Sequence, residues 1–132
     1  MTSRNVLAVV ATAALMGGCS AYSPVSPSGS PQEDFILAET QRVSAILHVK
    51  VVGQLSNYVY SIKAGTNGCP VGPIDCIAAG WYESGTAYYY QPWVVKQYNF
   101  KDLSDTAIHE VCHAVEFTHN ERHAKCVKSV PY

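Results

Sequence analysis

The feature that most limits how this chain can fold is a crowding of histidine: four of its five, His109, His113, His119 and His123, fall between positions 109 and 123. The first two sit in a stretch, Leu103 to Phe117, that contains neither glycine nor proline. Asp102 or Ser104 can cap its start, and acidic Asp105 suits the positive end of a helix. A helix is predicted over 103–117. Ala107, Ile108, Val111 and Val115 share one side of it, which should pack against a sheet. Residues four apart on a helix lie one turn apart on the same face, so His109 and His113 present their imidazoles to one point.

The run reads His109-Glu110-Val111-Cys112-His113. Neutral imidazole nitrogen is a favoured donor to Zn²⁺, and a catalytic zinc site wants three protein ligands with one position left open. Glu110 projects in a neighbouring direction, from which it can act as base on a water at that open position. Five residues thus supply two ligands and one base. For the third ligand His119 leads; Glu116, Glu121 and His123 compete. Cys112 as a thiolate ligand is a further possibility, against which stands its pairing in a disulfide.

The spacing His-Glu-x-x-His-x-x-x-x-x-His resembles the zincin metallopeptidases. The metzincins among them place glycine three residues after the second histidine, where this chain has Glu116, and a methionine turn under the metal; Met1 and Met16 are the only methionines here. The SprT-like and related minimal zincins are the better match, over about 15 residues that include His109 through His119-Asn120. That resemblance implies an α+β minimal zincin-like core: an N-terminal helix, a small mainly antiparallel sheet and the helix that carries the active site. It also implies a peptide or protein substrate received as an added strand, for which Thr86–Tyr90 is the expected edge. An oxyanion donor is required, with Tyr88, Tyr90 and Tyr132 as candidates.

The N-terminal end has a different character. A short basic start, an apolar run from Val6 to Met16 and then Leu15-Met-Gly-Gly-Cys19-Ser20 resemble the leader and lipobox of bacterial lipoproteins. On that pattern residues 1–18 are a signal peptide and Cys19 is lipidated, which gives membrane attachment through a lipid (palmitate) anchor. Ser20 after the cysteine points to the outer membrane, periplasmic side. Residues 19–33 are rich in serine and proline and read as a tether, leaving 34–132 as a single domain. Net charge is −1 with no lysine or arginine cluster, which argues against nucleic acid as a partner.

With Cys19 set aside, an even four cysteines remain in an exported chain, so two disulfides are expected in one of three connectivities. Cys69–Cys76 would close a Gly/Pro-rich loop, and Cys112–Cys126 would tie the histidine helix to the tail; these pairings are favoured. Further elements are a helix over 34–48, short strands at 49–52 and 58–62, a loop over 65–77, and a hairpin turning at Ser84-Gly85 and ending by Pro92. His48 reads as an ordinary histidine near a helix end.

The functional expectation is therefore a zinc-dependent peptide-bond hydrolase at the cell envelope. Its rivals are a non-catalytic lipoprotein that binds zinc or a protein partner on the same scaffold, and a structural envelope protein with incidental histidines.

Overall fold

The computed structural model describes residues 5–7 and 29–132. Within them the fold is α+β, as expected, with strands β1 (Asn5–Leu7), β2 (Val52–Ser56), β3 (Ser61–Ile62), β4 (Cys76–Ala78), β5 (Gly80–Glu83) and β6 (Thr86–Tyr90). Four helices accompany them: α1 (Pro31–Leu47), α2 (Gln91–Val94), α3 (Phe100–Cys112) and α4 (Glu121–Ser129). Cys19, nearly all of the proposed signal segment and most of the tether lie outside the described residues.

Helix α1 starts three residues before the expected Asp34, drawing Pro31–Glu33 out of the tether. Its start is a capping box: Ser30 Oγ accepts from Glu33 N at 3.1 Å, and Ser30 N donates to Glu33 Oε1 at 2.9 Å. Two orphan amide groups are satisfied together, and Pro31 needs no amide at the first helical position. The helix stops at His48, whose φ of 55° breaks the hydrogen-bond ladder.

Strand β6 is the middle of its sheet. It pairs in parallel with β2 from Val52↔Thr86 to Ser56↔Tyr90 and antiparallel with β5 from Gly80↔Tyr89 to Glu83↔Thr86. This corrects the expectation that Thr86–Tyr90 receives substrate at an edge, because both of its sides are already hydrogen-bonded. The edges of this sheet belong to β2 and β5. The Ser84-Gly85 turn joining β5 to β6 is as expected, with φ of 44° and 87°, the two positive values that a tight two-residue hairpin turn demands.

Strand β2 begins where the predicted 49–52 strand ends, and it runs through Gly53 instead of stopping there. A Cβ at that glycine would meet Leu37 Cδ2 and Thr40 Oγ1 at 3.1 Å, so the glycine lets α1 lie close on the strand. The expected strand at 58–62 shrinks to β3, with Tyr60 O still accepting from Ala78 N at 2.9 Å. β3 pairs antiparallel and β1 parallel with β4.

One core lies between the sheet and helices α1 and α3, where Ile36, Val43, Tyr89, Leu103, Ala107 and Val111 are fully buried. The Tyr89 hydroxyl sits 2.6 Å from Thr40 Oγ1 and locks β6 to α1; burial raises its pKa well above that of a free phenol. On the other face Trp81 stacks on Tyr88 at 5.4 Å beside Cys69 and Cys76. Both expected disulfides are present, Cys69–Cys76 and Cys112–Cys126.

Helix α3 is displaced toward the N-terminus relative to the prediction. Asn99, not Asp102 or Ser104, is its cap, accepting from Lys101 N at 2.9 Å, and it ends at Cys112 rather than Phe117. Val115 therefore leaves the apolar side and is exposed, as is Phe117. α4 lies in the expected disulfide-tied tail, for which no helix was expected; Asn120 caps it by accepting from His123 N at 3.1 Å.

Candidate metal centre

Helix α3 carries His109 and His113, and the chain then turns back so that His119 faces them. The three Nε2 atoms form a small triangle: 3.4 Å between His109 and His113, 3.1 Å between His109 and His119, and 3.1 Å between His113 and His119. A tetrahedral zinc ion with bonds of about 2.0–2.1 Å requires nitrogens about 3.3–3.4 Å apart. The donor set thus fits an ion of that size with little adjustment.

The turn is built by the end of α3. The amides of His113 and Ala114 bond to Glu110 O and Val111 O, three residues back, at 3.1 and 2.9 Å, tightening the last turn before the chain leaves the helix. His113 Nδ1 lies 3.1 Å from Glu116 O. Only a protonated Nδ1 can donate to a carbonyl, so Nε2 keeps its lone pair for a metal.

Burial is the main influence on the basicity of these rings, followed by repulsion among the neighbouring imidazoles. Together they lower the pKa of His109 to about 3 and that of His113 to about 4, and they lower His119 as well. At neutral pH all three rings are uncharged, the form that binds metal.

The fourth histidine is close too. One ring nitrogen from each of His109, His113 and His123 lies within 4.8 Å of the others. That spread is looser than the His109–His113–His119 triangle, and His123 Nε2 is 2.9 Å from the backbone oxygen of His109. The other candidates are turned elsewhere. Glu116 accepts from Thr118 N and Oγ1 and pairs with Arg122 at 3.3 Å. Glu121 is exposed at the start of α4. Cys112 is taken up in its disulfide.

Glu110 is fully buried, and its two carboxylate oxygens are the buried side-chain polar atoms without a hydrogen-bond partner among the described residues. Burial raises its pKa well above the usual carboxylate value. A group in that condition costs stability, and native proteins keep few of them. The carboxylate lies close against residue 80, where a side chain would crowd it: a Cβ there would lie 3.0 Å from Tyr88 O, 3.2 Å from Glu110 Cγ and 3.3 Å from Glu110 Oε2. Sequence reading gave no reason to single out Gly80, since its role arises from a contact between segments thirty residues apart. Gly80→Ala is expected to displace the carboxylate and lower any hydrolytic turnover by up to about 100-fold with bound metal unchanged. Parallel measurement of turnover and metal content checks this, and full turnover in the variant would refute it.

The oxyanion candidates separate. Tyr132 is committed to Asp105 through its hydroxyl and lies under Lys101 Nζ, in the first turns of α3. Tyr88 packs on Trp81 across the sheet from the core. Tyr90 is half-buried at the end of β6.

No family model, curated protein or solved structure matches this chain. Its described residues carry a histidine cluster able to hold a metal ion and, on the same helix as His109, a buried acid whose carboxylate has no hydrogen-bond partner.

Proposed function

We propose that this protein is a zinc-dependent peptide-bond hydrolase held at the cell envelope, with His109, His113 and His119 as metal ligands and Glu110 as the general base. The observation that carries the reading is the convergence of three imidazole nitrogens, together with an unpartnered, buried Glu110 carboxylate on the same helix as two of them. An ion with a purely structural role would give that carboxylate nothing to do, while its unpaired state would still cost stability. Bound zinc supplies Lewis acidity, polarising an amide carbonyl and lowering the pKa of water toward neutrality.

The chain's own groups do the rest. Glu110, ionised when the cation is bound, would take the proton released as water adds to the carbonyl carbon. It then delivers the proton to the amine nitrogen as the C–N bond breaks. The three neutral rings would hold the metal, with His113 steadied through Nδ1.

The open edge of β5 supports a polypeptide substrate. Ala79 O accepts from Tyr90 N at 2.8 Å, so strand alternation turns the backbone groups of Trp81 and Glu83 toward β6 and those of Gly80 and Tyr82 away from it. An extended peptide adding to that side would lie next to the Gly80–Glu110 contact. Attachment through Cys19 rests on the sequence pattern; among the described residues no helix is long and apolar enough to cross a membrane.

Elemental analysis of the natively purified protein is expected to find about one zinc per chain. His119→Ala should weaken zinc binding by more than the roughly 10–100-fold lost when a partner behind a ligand is removed. A wild-type protein that holds no transition metal, or a His119→Ala variant that binds zinc as the wild type does, would sink the assignment.

A further inference from the structure

We infer that His123 is a positioning residue of the metal centre and not a fourth ligand: its imidazole ties off the turn of α3 that carries His109 and backs the ring of His113. The inference rests on the metal-site reading above.

It starts from a helix end. Continued α-helix would send the His113 amide to the His109 carbonyl, but that amide bonds to Glu110 O at 3.1 Å. Carbonyls released in this way at a helix C-terminus need donors from outside the helix. For His109 the donor is His123, with Nε2 at 2.9 Å. A carbonyl oxygen can only accept, so Nε2 carries the hydrogen and the ring's lone pair is left on Nδ1. The ring nitrogens of His109, His113 and His123 spread over up to 4.8 Å, wider than the 3.1–3.4 Å of the His109–His113–His119 triangle, so the first three do not close on one ion as the second three do.

The same ring stacks on His113, with centroids 4.0 Å apart and planes 25° from parallel, and it is only 4% exposed. His113 is thus fixed at one edge by Glu116 O and on one face by His123. His123 is itself firmly placed: its amide donates to Asn120 Oδ1 at the cap of α4, and three residues later Cys126 ties α4 back to Cys112. One side chain therefore contacts the backbone of one ligand residue and the ring of another. Partners behind a ligand act in this way, by orienting the donors before the ion arrives.

Two substitutions separate the elements of this role. His123→Phe keeps an aromatic face against His113 but has no donor for His109 O, whereas His123→Gln restores an N–H donor without the ring. The probe is Co²⁺, added to the full disulfide-bonded chain. Affinity is read by competition with a chelator, and ligand geometry from the visible d–d absorption bands. Circular dichroism and thiol titration verify that each variant is folded and oxidised; should the Phe variant not fold, the Gln variant carries both measurements. The expected result is Co²⁺ binding weakened about 10–100-fold in His123→Phe, with band positions and intensities as in the wild type, and part of the loss recovered in His123→Gln. Altered bands at saturating Co²⁺ would make His123 a ligand and overturn the inference, as would wild-type affinity in both variants. A wild-type chain that takes up no cobalt removes the metal reading and this inference together, whereas the other two outcomes remove this inference alone.

Discussion

Replacing Glu110 with glutamine is expected to leave the metal in place and lower peptide turnover by about 10²–10⁴-fold, the usual contribution of a positioned general acid–base group. Glutamine keeps the shape that Gly80 accommodates and loses only the ability to take a proton. The same substitution should also stabilise the metal-free protein, because it removes an acid that is buried without a partner. The sign of the pH dependence follows from the direction of the shift. Glu110 has a raised pKa in the folded state, so the unfolded chain gives up this proton first, and the group's contribution to stability falls as pH rises above the ordinary carboxylate range. The advantage of Glu110→Gln in melting temperature should therefore grow from mildly acidic to neutral pH. Turnover assays with metal analysis check the first part and apo-protein melts at several pH values the second. Loss of metal together with activity would mean that Glu110 serves the ligands rather than the reaction.

Removing the Cys112–Cys126 bridge should have the largest effect on stability. The bridge closes a loop of 15 residues, worth about 3 kcal/mol in the chain-entropy model. For a domain of this size that corresponds to a fall in melting temperature of roughly 12–24 °C. The paired Cys112→Ser and Cys126→Ser variant, melted beside the wild type, measures it. The loop contains His113, His119 and His123, so metal affinity should fall with stability. The Cys69–Cys76 bridge spans a separation of only 7 residues beneath Trp81, and opening it should leave the metal affinity near wild type. Equal loss of affinity from both would show that general loosening, not the local tie, governs the site.

The parts of this molecule legible in its sequence are those set by short-range chemistry. The spacing of His109 and His113 fixes a shared helix face without regard to the rest of the fold. Ser84-Gly85 specifies its turn through two positive φ values. Helix α4 was not legible because its sequence, Glu-Arg-His-Ala-Lys-Cys-Val-Lys-Ser, has only two non-cysteine apolar residues and buries only His123 and Cys126. Its order comes from the Asn120 cap and the bridge to Cys112. The central place of β6 was equally hidden, since its parallel pairing with β2 joins strands more than thirty residues apart, and nothing local to Thr86–Tyr90 marks an occupied edge. Gly80 belongs with these: its lack of a side chain matters only because Glu110 comes to lie against it.

The two chemical parts of the centre therefore assemble from very different distances along the chain. His109 and His119 are separated by 10 positions, so the grip on an ion closes a short loop at small entropic cost. The niche for Glu110 waits on a strand thirty residues upstream, and non-local contacts of that kind form late and slowly. A newly made chain would then capture its ion while the acid was still exposed to water, and would gain hydrolytic power only when the sheet docked on α3. Stopped-flow refolding with a metal-sensitive probe would show this as two phases, metal uptake running ahead of activity.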